Sequence, residues 1–265
     1  MAESSPDTPS SLLPPLREEL GDEAAGVSDS TLLKFLGWKP SVGRAAERFR
    51  AHRTWRASNP FAFDDPARPL RVGKDPELGR VLGSDFLVAP DGMTAMDGSS
   101  VMVGRLRKND LSDGRTVEDV VRAILYTIDR VVEREGPAGE GMTLFHDLSG
   151  LSTNNVSPMI PRILLPALVG NLPIKIRGIY LLHAPFFFRV LFKGVSLMLP
   201  SKLKSRIHFV DSLEEVHAAI EQEQLLEEHG GKRTYSSKDW IDAQEKREED
   251  GTLESLSDCY VAESA

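Results

Sequence analysis

The chain has 265 residues, of which 40% are apolar, and a formal net charge of −8. That is enough for one large domain, or a main domain with a small helical appendage. A single cysteine, Cys259, excludes an intrachain disulfide framework and a zinc ribbon, and the expected setting is the reducing cytosol.

In chain order, "MAESSPDTPSS" is acidic and polar, unlike a secretory signal, and residues 1–12 are expected to be disordered. "SDSTLLKFLGWKP" places capping residues before an apolar run that stops at Pro40, which predicts a short helix. In "SVGRAAERFRAHRTWRASNP", Val42, Ala45, Ala46, Phe49, His52 and Trp55 keep helical spacing. Residues 13–60 therefore read as a helical unit, and proline-rich 61–83 as a connector.

From about residue 84 the pattern changes. "TAMDGSSVMVGRLR" predicts a hairpin turning at Asp97-Gly98. Thr116 caps a long helix whose apolar face is Val117, Val120, Val121, Ile124, Leu125, Ile128, Val131 and Val132. "GMTLFHDLSG", "RGIYLLHAP" and "SRIHFVD" read as buried strands, and "SPMIPRILLPALVGNLP" as a helix with proline at its start or a kink. Alternating strands and helices predict an α/β fold with a mostly parallel sheet. From about Gln244 the acidic sequence is expected to be disordered.

Charge is unevenly spread. Between Leu148 and Val210 there is no Asp or Glu, while Arg162, Lys175, Arg177, Arg189, Lys193, Lys202, Lys204 and Arg206 make the segment +8, leaving the remainder at −16. Such a face suits a phosphate-rich partner, either membrane or nucleic acid. In the same segment, ten of the fourteen residues from Phe186 to Leu199 are apolar. Arg189 and Lys193 interrupt that run, so it falls short of the roughly 18 uncharged residues that span a bilayer. On a helix, Arg189, Lys193 and Ser196 would form one narrow polar stripe.

Motifs for chemistry are missing: no nucleophile elbow, phosphate-binding loop, dinucleotide fingerprint or paired metal-binding histidines. His146 and Asp147, as strand neighbours, point to opposite faces, and Ser149 has no base at recognisable spacing. An enzyme is not expected, and no nucleic-acid-binding motif is present.

The order of "LLKFLGWKPSVGRAAERFRAHRTWR", "VMVGRLR", "FHDLSG", "LPIKIRGIYLLHAPFFFRVLFKGVSLMLPSKLKSRIHFV" and "LLEEHGG" resembles the CRAL-TRIO lipid-binding family, over about residues 28–232. The resemblance implies a helical N-terminal unit, a lipid-binding domain over 84–232, and a C-terminal helix and acidic tail over 233–265. It implies a gate helix at 185–199, with Phe187, Phe188, Leu191, Phe192, Val195, Met198 and Leu199 facing a lipid pocket. In one member of the family, basic residues in a surface cleft bind phosphoinositide phosphates, and the similar positions here are Lys39, Lys175, Arg177, Lys202 and Arg206. Ile174 and Leu203 depart from the residues that hold internal phosphatidylinositol in other members, so binding in that style is not expected.

The resemblance thus implies a carrier of a hydrophobic ligand or phospholipid that docks transiently on anionic, phosphoinositide-containing membranes. It would be a cytoplasmic monomer with no cofactor beyond its bound lipid. The alternative is a non-catalytic scaffold of the same fold that binds a small GTPase or another protein.

Overall fold

The computed structural model describes residues 8–38, 40–63, 65–135 and 139–253. Lys39, Cys259, the first seven residues and the tail from 254 lie outside the described residues.

Helices α1 (Leu13–Leu20), α2 (Asp29–Trp38) and α3 (Val42–Ser58) form the N-terminal unit. Leu16, Leu20, Leu32, Phe35, Leu36, Ala45, Ala46 and Phe49 share one core there. Farther along α3, buried His52 donates from Nδ1 to the Asn171 carbonyl at 2.8 Å, and Arg48 reaches the Leu172 carbonyl at 3.5 Å. These two contacts fasten the unit to the main domain.

After the short helices α4 (Pro60–Phe63) and α5 (Pro76–Leu82) comes a five-stranded sheet. Its strands are β1 (Leu87–Val88), β2 (Ser100–Arg105), β3 (Met142–Asp147), β4 (Ile176–Leu182) and β5 (Ile207–Val210). The spatial order follows the chain order, with β1 antiparallel and every other pair parallel. A sequential order with right-handed crossovers places all crossover helices on one face. Those helices are α6 (Val117–Glu135), α7 (Met159–Pro166), and the pair α8 (Phe186–Ser196) and α9 (Ser201–Lys204).

A parallel sheet needs its second face covered too. Here Val101, Val103, Phe145, Leu182 and Val210 pack under Val216 of α10 (Leu213–His217) and under Ile220, Leu225 and Leu226. Gly231 closes this segment. A side chain there would collide with the Leu225 carbonyl, which restricts the position to glycine.

Three expectations need correction. Asp97-Gly98 does turn the chain, but Thr94 and Ser100 form only an isolated bridge, and the antiparallel partner of β2 is β1. The helix of 159–171 is α only to Pro166 and then widens to a π-helix over Ala167–Asn171. Proline lacks the amide that would continue the α-helical ladder, and the wider turn accommodates it. The chain past Gln244 is not disordered at that point: α11 (Ser237–Glu249) runs on. It is fastened by Tyr126 donating to Glu248 at 2.8 Å, and by Arg247 pairing with Glu133 at 2.5 Å.

Helix α6 begins with a reciprocal cap: the Thr116 amide donates to Asp119 at 2.8 Å, and the Asp119 amide donates to the Thr116 hydroxyl at 3.1 Å. Its predicted apolar face is buried or half-buried throughout. Its polar side is covered as well. Buried Arg122 donates to Asp75 at 3.0 Å and to the backbone carbonyls of Phe61, Arg68 and Pro69, which binds the 61–83 connector to the helix.

Removing one partner of a buried pair strands the other charge. Arg122→Met is expected to cost about 3 kcal/mol or more by urea unfolding. Arg134→Met, whose partner Asp91 is 76% exposed, is expected to cost under about 1 kcal/mol.

Candidate binding site beneath helix α8

Alternation along the strands sends Met102, Gly104, Met142, Leu144, His146, Ile179, Leu181, Ile207 and Phe209 to the face that carries the crossover helices. Helix α6 covers the β2–β3 part of it, and α8 lies over the ends of β4 and β5. Leu144, His146 and Ile179 stay half-buried, although they sit on the inner strands of the sheet. Directly behind them, Val103 and Phe145 on the opposite face are fully buried. The site face is the loosely filled one.

An apolar cavity of about 230 Å³ opens between the helices. Val120 and Ile124 of α6, Phe86, Leu106, Val156 and Ile160 form its walls, and Phe188, Leu191, Phe192 and Val195 of α8 its roof. Its two amides are already committed. Asn109 donates to the Asn155 carbonyl at 2.9 Å, and Asn155 donates to the Asn109 carbonyl at 3.2 Å while accepting from the Ser152 amide at 2.8 Å.

Four of the seven residues expected at the pocket therefore line it. Phe187 packs beside them against Leu148, Leu151 and Leu181, and Leu199 is buried beyond the helix end. Met198 is placed differently, 57% exposed on the outside.

No residue of α8 is fully buried, and its outer side is also apolar: Phe186 is 82% exposed, Val190 52%, and Leu197 just past the helix 82%. The expected polar stripe is broken. Arg189 folds over the Phe209 ring at 5.0 Å, pairs with Asp211 at 2.8 Å and donates to the Ala184 carbonyl at 3.1 Å. Lys193 alone of the two cations stays exposed. Asp211 lies one residue beyond the acid-free segment, so the sequence pattern concealed this pairing.

The basic positions converge at the N-terminal ends of β4 and β5. Arg206 donates to the Ile176 carbonyl, between Lys175 and Arg177. Lys175 donates to the Gly139 carbonyl at 3.1 Å, and Arg177 pairs with Glu140 at 2.5 Å. Lys202 and Lys204 of α9 are exposed.

One pair escaped the sequence reading. Ser149 and His183, 34 residues apart, meet at 2.9 Å through Oγ and Nδ1 at neighbouring strand ends. His183 sits on a left-handed backbone, φ 52°, which aims it at Ser149. Among the described residues no carboxylate pairs with that imidazole, so a triad is not assembled.

His146 and Asp147 lie on opposite faces, as alternation requires. Burial works against ionisation of Asp147, yet its contact with His229, the Ser149 amide at 3.0 Å and Arg107 at 2.5 Å hold its carboxyl below the usual range. His146 has no such partners. Its Nδ1 is buried without a hydrogen bond, and burial lowers its pKa to about 4.

That shift carries a pH dependence. The unfolded imidazole protonates near pH 6.5, whereas the folded one stays neutral down to about 4. Stability from this group is present above pH 6.5 and lost as pH falls towards 4, by about 3 kcal/mol. Wild type minus His146→Phe, measured by urea unfolding between pH 7 and 4.5, is expected to show that slope.

Comparison with known proteins places this geometry. Residues 94–231 match the family model "CRAL/TRIO domain". Human tyrosine-protein phosphatase non-receptor type 9 is 25% identical over 77% of this chain and 33% of its own length. Human alpha-tocopherol transfer protein-like is 24% identical over 82% and 62%, and mouse clavesin-2 is 27% identical over 59% and 49%. The chain thus spans a third to under two thirds of these relatives' lengths. The crystal structure of Sfh5 shares the fold, with a TM-score of 0.59, 12% identity, and coverage of 90% of this chain and 92% of that one. With half of its length matched by that family model, and a mostly parallel sheet carrying its crossover helices on one face, the chain belongs to the CRAL/TRIO domain family.

Proposed function

We propose that this protein carries a hydrophobic ligand beneath α8 and exchanges it at anionic, phosphoinositide-containing membranes. The family's members bind and transfer lipophilic ligands. The observation that carries the reading here is a helix apolar on both sides: Phe188, Leu191, Phe192 and Val195 face the cavity, while Phe186, Val190 and Leu197 face outward.

Lifting α8 in water would expose four large apolar side chains, at about 1.5–3 kcal/mol for each one fully uncovered. At a membrane those side chains, and the outer stripe with them, enter the interface instead. The membrane therefore favours the open state through its own differential contact, which couples release to arrival. Lys193, Lys202 and Lys204 would meet anionic headgroups on docking. Lys175, Arg177 and Arg206 form the rest of the proposed phosphate-binding cleft, in which a headgroup would displace Glu140 from Arg177, and the family resemblance would add Lys39 to it. Between encounters the protein would remain cytoplasmic as a monomer, without catalytic chemistry.

Two measurements test this. Purified protein is expected to keep a lipid through gel filtration, detectable by native mass spectrometry, and an empty protein that cannot be loaded from vesicles would refute the carrier. Phe188→Asp with Phe192→Asp is expected to abolish transfer between vesicles while leaving the sheet folded by circular dichroism. Global unfolding of that variant would make α8 a core helix rather than a lid.

Charge reversal at Lys202 and Lys204 is expected to weaken binding to phosphoinositide-containing vesicles at least tenfold at low salt, at roughly 1 kcal/mol per basic residue. Wild-type binding by that variant would remove α9 from the docking surface.

A further inference from the structure

The sheet has two edges, and they differ. At one, β1 is only two residues long and Pro90 follows closely, which blunts that edge against further pairing. At the other, β5 runs over Ile207–Val210 with no proline, lysine or bulge in it.

Pairing with β4 uses only half of the β5 backbone. The Ile179 amide donates to the Arg206 carbonyl at 2.8 Å, and the His183 amide to the Val210 carbonyl at 3.1 Å. Alternate residues of a strand serve one neighbour, so Ile207 and Phe209 turn their N–H and C=O outward. Among the described residues nothing pairs with those groups. The side chains of Ile207 and Phe209 lie on the face beneath α8. His208, exposed and stacked on Tyr180 at 4.9 Å, lies on the other.

Charge brackets the strand. Lys202, Lys204 and Arg206 precede it, and Asp211, Glu214 and Glu215 follow it, all exposed except half-buried Arg206. A strand that is basic at its start and acidic at its end complements its own antiparallel copy, because each basic end then lies beside an acidic one.

We infer that the β5 edge pairs two copies of this chain, antiparallel about a two-fold axis, into one continuous sheet. Setting Ile207 opposite Phe209 of the second copy lets each such pair exchange two hydrogen bonds, with the two His208 side chains meeting at the axis. That axis stands perpendicular to the sheet, so both copies keep α8 and α9 on the same side. Two such helices then face one membrane, and docking of the first raises the local concentration of the second. So short a ladder is weak by itself, and the dilute form remains the monomer of the carrier reading. The pairing goes beyond that reading and does not depend on bound lipid.

The test cross-links the full chain in solution at low salt, with Cys259→Ser and His208→Cys placed for a short bismaleimide, over a rising protein concentration. A covalent dimer is expected to grow with concentration and to diminish when salt is raised. Lys202→Glu with Lys204→Glu, or Glu214→Lys with Glu215→Lys, is expected to cut its yield about fivefold or more, since like charges then meet at both ends. Mixing the two reversed chains is expected to restore the dimer, which simple damage to either fold would not do. Absence of recovery with both chains folded by circular dichroism overturns the inference. Should one reversed pair fail to fold, an undiminished yield from the other overturns it equally. A chain that stays uncross-linked at every concentration leaves the edge to a strand from another protein and refutes self-pairing. Loss of lipid loading with cross-linking intact would sink the carrier and leave the pairing standing.

Discussion

The structure turns on how a parallel sheet gets both faces covered. Sequential strand order forces every crossover onto one face, and the C-terminal segment must cover the other. The second face is packed tightly by Val216, Ile220, Leu225 and Leu226 against Phe145, Val103 and Val210. The first is shared unequally. Helix α6 buries most of its length over β2 and β3, while α8 spans β4 and β5 without one fully buried residue. An incompletely filled interior follows from that inequality.

The surrounding scaffold is fastened at many points, which confines looseness to α8. Arg122 holds the connector, Glu248 bonds Tyr126 and the amides of Val72 and Gly73, and His52 and Arg48 dock the N-terminal unit onto the π-helical turn. Elements with few buried contacts open at lower free energy than the body of a domain. Arg189, stacked on Phe209 and paired with Asp211, tethers the start of α8. Its distal end, from Val195 to Met198, lacks such an ion pair among the described residues.

Two adjacent residues on β3 show how one strand serves two purposes. Asp147 faces the packed side, where Arg107 and His229 tie it to the closing segment, and its charge is fully used. His146 faces the loose side, opposite a glycine, and its Nδ1 is unused. Alternation gives these two neighbours opposite surroundings, a charged network on one face and an apolar layer on the other.

Much of the fold was legible in the residues. Periodicity located α3, α6 and the buried strands, and the apolar run from Phe186 marked α8, because burial patterns repeat within a single element. The four residues roofing the cavity and the basic cluster at the ends of β4 and β5 were also named from the chain. What remained hidden depends on groups distant in sequence. Asp211 pairs with Arg189, Ser149 meets His183 across 34 residues, and the polar side of α6 is covered by the connector and α11. The sequence put His146 on the opposite strand face from Asp147 and went no further. Only the register that sets it opposite Gly104, together with the depth of the sheet face, leaves Nδ1 without a partner. Local pattern decides which way a side chain points; what it meets there is decided by elements that arrive from elsewhere in the chain.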